Sequence, residues 1–125
     1  MEAYYVDTPK TELENAYAGK TPSIFLAGPT PREDSVHSWR PEALELLKKH
    51  GFDGGVFIPE DRGAERYADY DGQINWEWDG LDAANVIIFW VPRELTKMPA
   101  FTTNVEFGLY AASGKCVLGY PEGTP

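Results

Sequence analysis

The 125-residue chain predicts one α/β domain built on a doubly wound parallel sheet. Three observations carry that prediction. Short apolar runs (SIFLA, VFI, VIIFWV and CVLGY) alternate with segments of helical period. The runs are apolar throughout rather than at every second position, as expected of strands buried on both faces. Their order of strand, helix, strand, helix, strand, helix, strand suits right-handed crossovers with helices on both sides of the sheet.

Residues 1–22 read as a polar, irregular N-terminal extension, with residues 4–6 a short edge strand. The domain proper is expected over residues 23–125. Residues 23–27 form the first buried strand, bounded by Pro22 and by Gly28-Pro29. A helix follows from about Ser38 to His50. Ser38 suits its N-cap, Pro41 is tolerated in the first turn, and Gly51 suits the C-terminal cap. Trp39, Ala43, Leu46 and Leu47 make its apolar face. Residues 56–58 are the second strand. Residues 59–72 form a charged, glycine-containing loop, long enough to suggest a function.

Ile74, Trp78 and Leu81 recur at helical spacing and place a helix over 73–84 with those three facing the core. Residues 86–91 are the third strand and 92–102 a second long loop. A helix over 104–113 ends at Gly114, and residues 116–120 are the fourth strand. The chain stops soon after it, so the last edge of the sheet is expected to lack a covering helix. In such sheets ligands bind beyond the carboxyl ends of the strands. Those ends lead into loops 28–32, 59–62, 92–102 and 120–125.

Composition narrows the partners. The net charge is −9, with 20 acids against 11 bases, and no basic run exceeds Lys48-Lys49. That balance argues against a nucleic-acid polymer. It suits a small neutral ligand, or one with a single phosphate near Arg32. No apolar run approaches the ~20 residues of a membrane span, and the first ten residues lack the pattern of a secretory signal. Cys116 is the single cysteine, which fits a reducing cytoplasm. No His/Cys/acid cluster has metal-ligand spacing, and no glycine-rich nucleotide fingerprint occurs, so neither metal nor cofactor is expected.

Two glutamates stand out. Glu77 lies three residues after Ile74 and four before Leu81, in or beside the core-facing stripe. A carboxylate there is costly unless it has a partner or a task. Gln73, Trp76 and Trp78 surround it in sequence and suit a flat heterocycle. A salt bridge with a distant base is the structural alternative. Glu106 opens the last helix. Thr103 and Glu106 match a capping box, which alone would explain the residue. The same position sets a carboxylate above a strand end, where the helix dipole would keep it ionised and nucleophilic. In the first loop, AGPTPR over residues 27–32, Gly28 permits close backbone approach and Arg32 suits an anion or hydroxyl. A tight turn fixed by Pro29 and Pro31, with a solvated Arg32, is the plain alternative.

Three segments, SIFLAGPTPR, QINWEWDGLDAANVIIFWVPR and FTTNVEFGLYAASGKCVLGYP, together resemble the nucleoside 2-deoxyribosyltransferase family, in particular its small bacterial deoxyribosyltransferase-like branch. The resemblance implies a flavodoxin-like fold. It implies cleavage of the N-glycosidic bond of a nucleoside or nucleoside monophosphate, with transfer of the sugar to another base or to water. It puts the nucleophile at Glu106 and the second acid at Glu77, with Asp79 the fallback for that role. Gly28 and Pro29 fall in the family's ligand loop. Arg32, Gln73, Trp76 and Asn104 are then expected to bind substrate, with Trp90 a second candidate for stacking. A homodimer or higher homo-oligomer is also implied. Where many members carry a tyrosine in the first strand, this chain has Phe25. A nucleoside 5′-monophosphate N-glycosidase and a non-catalytic nucleotide-binding module are the two alternative readings.

Overall fold

The computed structural model describes residues 1–19, 21–33, 35–62 and 70–125. Five parallel strands form one sheet: β1 (Glu2–Tyr5), β2 (Ser23–Ala27), β3 (Gly55–Ile58), β4 (Val86–Trp90) and β5 (Cys116–Gly119). Their spatial order is β1-β3-β2-β4-β5. Among the described residues four α-helices connect them: α1 (Lys10–Tyr17), α2 (Arg40–Lys49), α3 (Tyr70–Ala83) and α4 (Phe101–Tyr110).

The handedness rule accounts for where the helices lie. Only the step from β2 to β3 runs toward the β1 edge, and α2 alone covers one face. There Ala43, Leu44 and Leu47 pack on Ile24, Leu26, Val56 and Ile58. The other three steps run the opposite way. Leu13 and Ala16 of α1, Trp76 and Leu81 of α3, and Phe107 and Tyr110 of α4 pack on the opposite face with Phe25, Phe57, Ile87 and Phe89. β2 and β3 are buried at every residue, as their unbroken apolar runs require. The chain reverses direction between β2 and β4, which makes that gap the topological switch point.

Several expectations need correction. The edge strand expected at 4–6 is present and begins two residues earlier, but the rest of residues 1–19 is not irregular. These residues hold β1, paired in parallel with β3 from Glu2↔Gly55 to Tyr5↔Ile58, and a two-turn helix whose Leu13 and Ala16 are buried. Leu46 is exposed, and Leu44 takes its place on the inner face of α2. In α3 the inward residue is Trp76, 6 % exposed, while Trp78 is 37 % exposed. The reason is Gly80, against which the Phe25 ring closes so tightly that an added Cβ would lie 2.9 Å from it. That contact turns the helix so that the 76–80 side faces the sheet. α3 also begins before Gln73, at least as early as Tyr70. Half of the loop expected over 59–72, residues 63–69, falls outside the described residues, and 70–72 belong to α3.

Helix α4 starts three residues earlier than expected. Ala100, with φ 60° and ψ 35°, is its left-handed N-cap, and no side chain caps the helix. Thr103 therefore lies inside the first turn and Glu106 in the second, so the capping box does not form. Val117 and Leu118 of β5 are exposed.

Candidate active site

A cavity of about 840 Å³ opens where the carboxyl ends of β2 and β3 meet the start of α4. Its first wall is the loop after β2, including Gly28, Pro29 and Arg32. Gly28 has φ +142°, and a Cβ there would fall 2.1 Å from the Trp90 carbonyl oxygen. Only glycine lets this loop leave β2 while touching β4.

The loop is held from behind by α2. Trp39 Nε1 donates to the Pro29 carbonyl at 3.1 Å. Arg40 Nη2 donates to the Gly28 carbonyl at 2.8 Å, and Nη1 donates to Thr30 Oγ1 at 2.9 Å. Arg40 Nε reaches the Leu26 carbonyl at 3.0 Å. Nη1 also meets Glu60 Oε1 at 3.2 Å, and Glu60 accepts a second hydrogen bond from Ser38 Oγ at 2.7 Å. Ser38 caps one step away from the helix, accepting from Arg40 N at 3.2 Å. Arg40 is 1 % exposed. Sequence reasoning missed it, although an arginine in the first turn of a helix opposes the dipole and was a usable signal.

α3 and α4 supply the two glutamates, and both line this cavity. Glu77 accepts a hydrogen bond from Gln73 Nε2 at 3.1 Å. Burial pushes its carboxyl up from the ordinary range, while that hydrogen bond and the charge of Arg40 oppose the push. Glu106 accepts no hydrogen bond from any described residue. Burial first, and the charge of Glu77 second, push it up to about 7, against the pull of Arg40. The dipole therefore does not hold Glu106 ionised across neutral pH as expected; desolvation wins.

The other expected ligands divide. Gln73 lines the cavity beside Glu77, and so does Trp78, which stacks on Tyr110 with centroids 6.1 Å apart. Trp76 does not reach it. Its ring lies in the core, 6.0 Å from Phe25 and 6.3 Å from Phe57. Asp79 points away toward Tyr17, whose hydroxyl pKa it helps to raise after burial. Asn104 takes a hydrogen bond from Arg93 Nη2 at 2.6 Å and lines a separate, smaller cavity on the far side of α4. Trp90 lies against Gly28 and Gly119, outside the main cavity.

The walls are rich in acid: Glu33, Glu60, Asp61, Glu77 and Glu106 face the basic Arg32 and His37. Such a surface attracts hydrogen-bond donors and repels anions.

A family model described as nucleoside 2-deoxyribosyltransferase like matches residues 21–124. The chain belongs to that family. No curated protein matches it significantly. Membership accords with the single parallel-sheet domain, and the family suggests a small-molecule nucleoside as substrate. Among the described residues no helix is long and apolar enough to cross a membrane.

Proposed function

We propose that the protein is an N-glycosyl transferase that moves a 2-deoxyribosyl group from one base to another, with Glu106 as nucleophile. The observation that carries this reading is the pairing of a half-buried Glu106, which accepts no hydrogen bond from a described residue, with Glu77 in one open cavity. The Glu106 carboxylate attacks C1′ of the sugar through an oxocarbenium-like transition state. A C1′–O bond forms as the C1′–N bond breaks, and the bond's electrons leave with the base. The base takes its proton from water admitted by the open cavity. A nitrogen of a second base then attacks C1′, returns its proton to the hydroxide left in the first step, and frees the carboxylate; water in its place gives hydrolysis.

Glu77, oriented by the Gln73 amide, holds a sugar hydroxyl. Trp78 supplies a flat apolar surface for the base. The five carboxyl groups favour an unphosphorylated nucleoside. Arg32, which makes no hydrogen bond or ion pair with a described residue, favours the second reading, hydrolysis of a nucleoside 5′-monophosphate. We also propose a homodimer, supported by Phe101 and Val105 of α4, which are 66 % and 60 % exposed at the cavity mouth. The free Cys116 suits a cytoplasmic setting.

The test incubates the protein with a deoxynucleoside and a foreign free base, and in parallel with the matching 5′-monophosphate. Exchange of the base is expected with the nucleoside. Glu106→Ala should cut it by at least about 10³-fold with the fold intact. A fully active Glu106→Ala variant would reject the nucleophile. Base release from the monophosphate alone would favour the second reading.

A further inference from the structure

We infer that Arg40 is a positioning residue for this site: its buried guanidinium fixes the ligand loop after β2 and supplies the positive charge against which the Glu77–Glu106 pair is balanced. The inference rests on the proposed use of those two glutamates. Arg40 does not line the cavity, so it acts on substrate only through other groups.

Two sets of contacts support it. The first is geometric. The four hydrogen bonds of the Arg40 guanidinium to described groups end on Leu26, Gly28, Thr30 and Glu60. With Trp39 holding Pro29, three consecutive loop residues are tied to the first turn of α2. The guanidinium also lies 4.8 Å from the centroid of the Trp39 ring, which fixes its plane. A planar fork can serve these directions at once, whereas an ammonium cannot.

The second is electrostatic. A buried cation needs compensation, and Glu60 is its one direct ion-pair partner among the described residues. Glu106 and Glu77 act on it at longer range. The groups that bear on Glu106 are Glu77 from α3, Arg40 from α2 and Tyr110 on its own helix. Glu60 bears on it through Arg40, and Arg32, His37, Glu33 and Asp61 share the cavity wall. Arg40 is the buried cation of this set. Its removal should make the second ionisation of the glutamate pair harder.

The experiment uses the full chain labelled with ¹³C at the glutamate carboxyls. Each variant is checked for folding by thermal melting and titrated by NMR, then assayed for base exchange. In Arg40→Gln the Glu106 midpoint should rise above about 7, and the acid limb of kcat/KM should rise with it. In Arg40→Lys the charge survives but the fork is lost. The midpoint should stay near its original value while KM for the nucleoside rises about tenfold with little change in kcat. Glu60→Gln keeps an acceptor for Arg40 and Ser38 but deletes the compensating charge. It should lower the midpoint, and it decides the electrostatic role if Arg40→Gln does not fold. An unmoved midpoint in folded Arg40→Gln or in folded Glu60→Gln overturns that role. Arg40→Lys with wild-type KM overturns the geometric one. If the wild-type protein shows no exchange, the functional reading fails, yet the carboxyl titrations still decide whether Arg40 sets the balance.

Discussion

Glu77 accepts a hydrogen bond from Gln73 at 3.1 Å, whereas Glu106, in the wall of the same cavity, accepts none from any described residue. Two carboxyl groups in one low-dielectric space do not ionise independently. The bonded member loses its proton first, and its charge then holds back the other. The proposed nucleophile works only as a carboxylate. We expect kcat/KM to rise with pH through about 7. In Glu77→Gln the neighbouring charge is gone, so the acid limb should move below that value even as the rate falls. A pH–rate profile on both proteins checks this.

The same carboxyl links stability to pH. An unfolded glutamate titrates near 4.3, and folded Glu106 at about 7. Between those values the folded state binds the extra proton. Its contribution to stability is therefore complete below the unfolded value and declines as pH rises to about 7. Glu77 is shifted in the same direction. Glu106→Gln removes this penalty. It should match the wild type near pH 4 and exceed it by about 1–3 kcal/mol at pH 8, after allowance for solvent screening. Urea melts at the two pH values measure it.

Gly28→Ala should be among the most damaging single changes. The new methyl would meet the Trp90 carbonyl oxygen at 2.1 Å and the Trp39 ring at 3.0 Å. A backbone oxygen in a sheet strand cannot yield. Destabilisation of at least about 2 kcal/mol is expected by chemical denaturation.

The exchange of roles between two tryptophans is also testable. Trp78→Ala should raise KM about tenfold by removing the stacking surface. Trp76→Phe should leave KM unchanged. It deletes an indole N–H that is buried without a partner among the described residues, so its stability should change by no more than about 1 kcal/mol.

Strands β2 to β5 and the parallel, doubly wound character of the sheet were legible because unbroken apolar runs such as SIFLA admit few other readings. α1 was not, since Leu13 and Ala16 are too sparse in Lys10–Tyr17 to mark a period. The face of α3 was misjudged because its closest contact is Gly80, which carries no hydropathy signal. The cavity glutamates stood out as acids in apolar surroundings. Arg40 did not, because its partners are mostly backbone carbonyls, which no side-chain pattern announces. The reading of Glu106 as a helix cap failed on Ala100, whose left-handed backbone no alanine advertises.

That alanine has a mechanical consequence. Its methyl is buried against the core, so it acts as an index pin for the helix that follows. Each residue added to or removed from the connection ahead of it would rotate the helix by about 100°. A one-residue deletion in the 92–99 stretch that dragged the pin along would turn Glu106 out of its place and bring Phe107 to bear on the sugar instead. The register of a single small residue thus decides which side chain the chemistry meets.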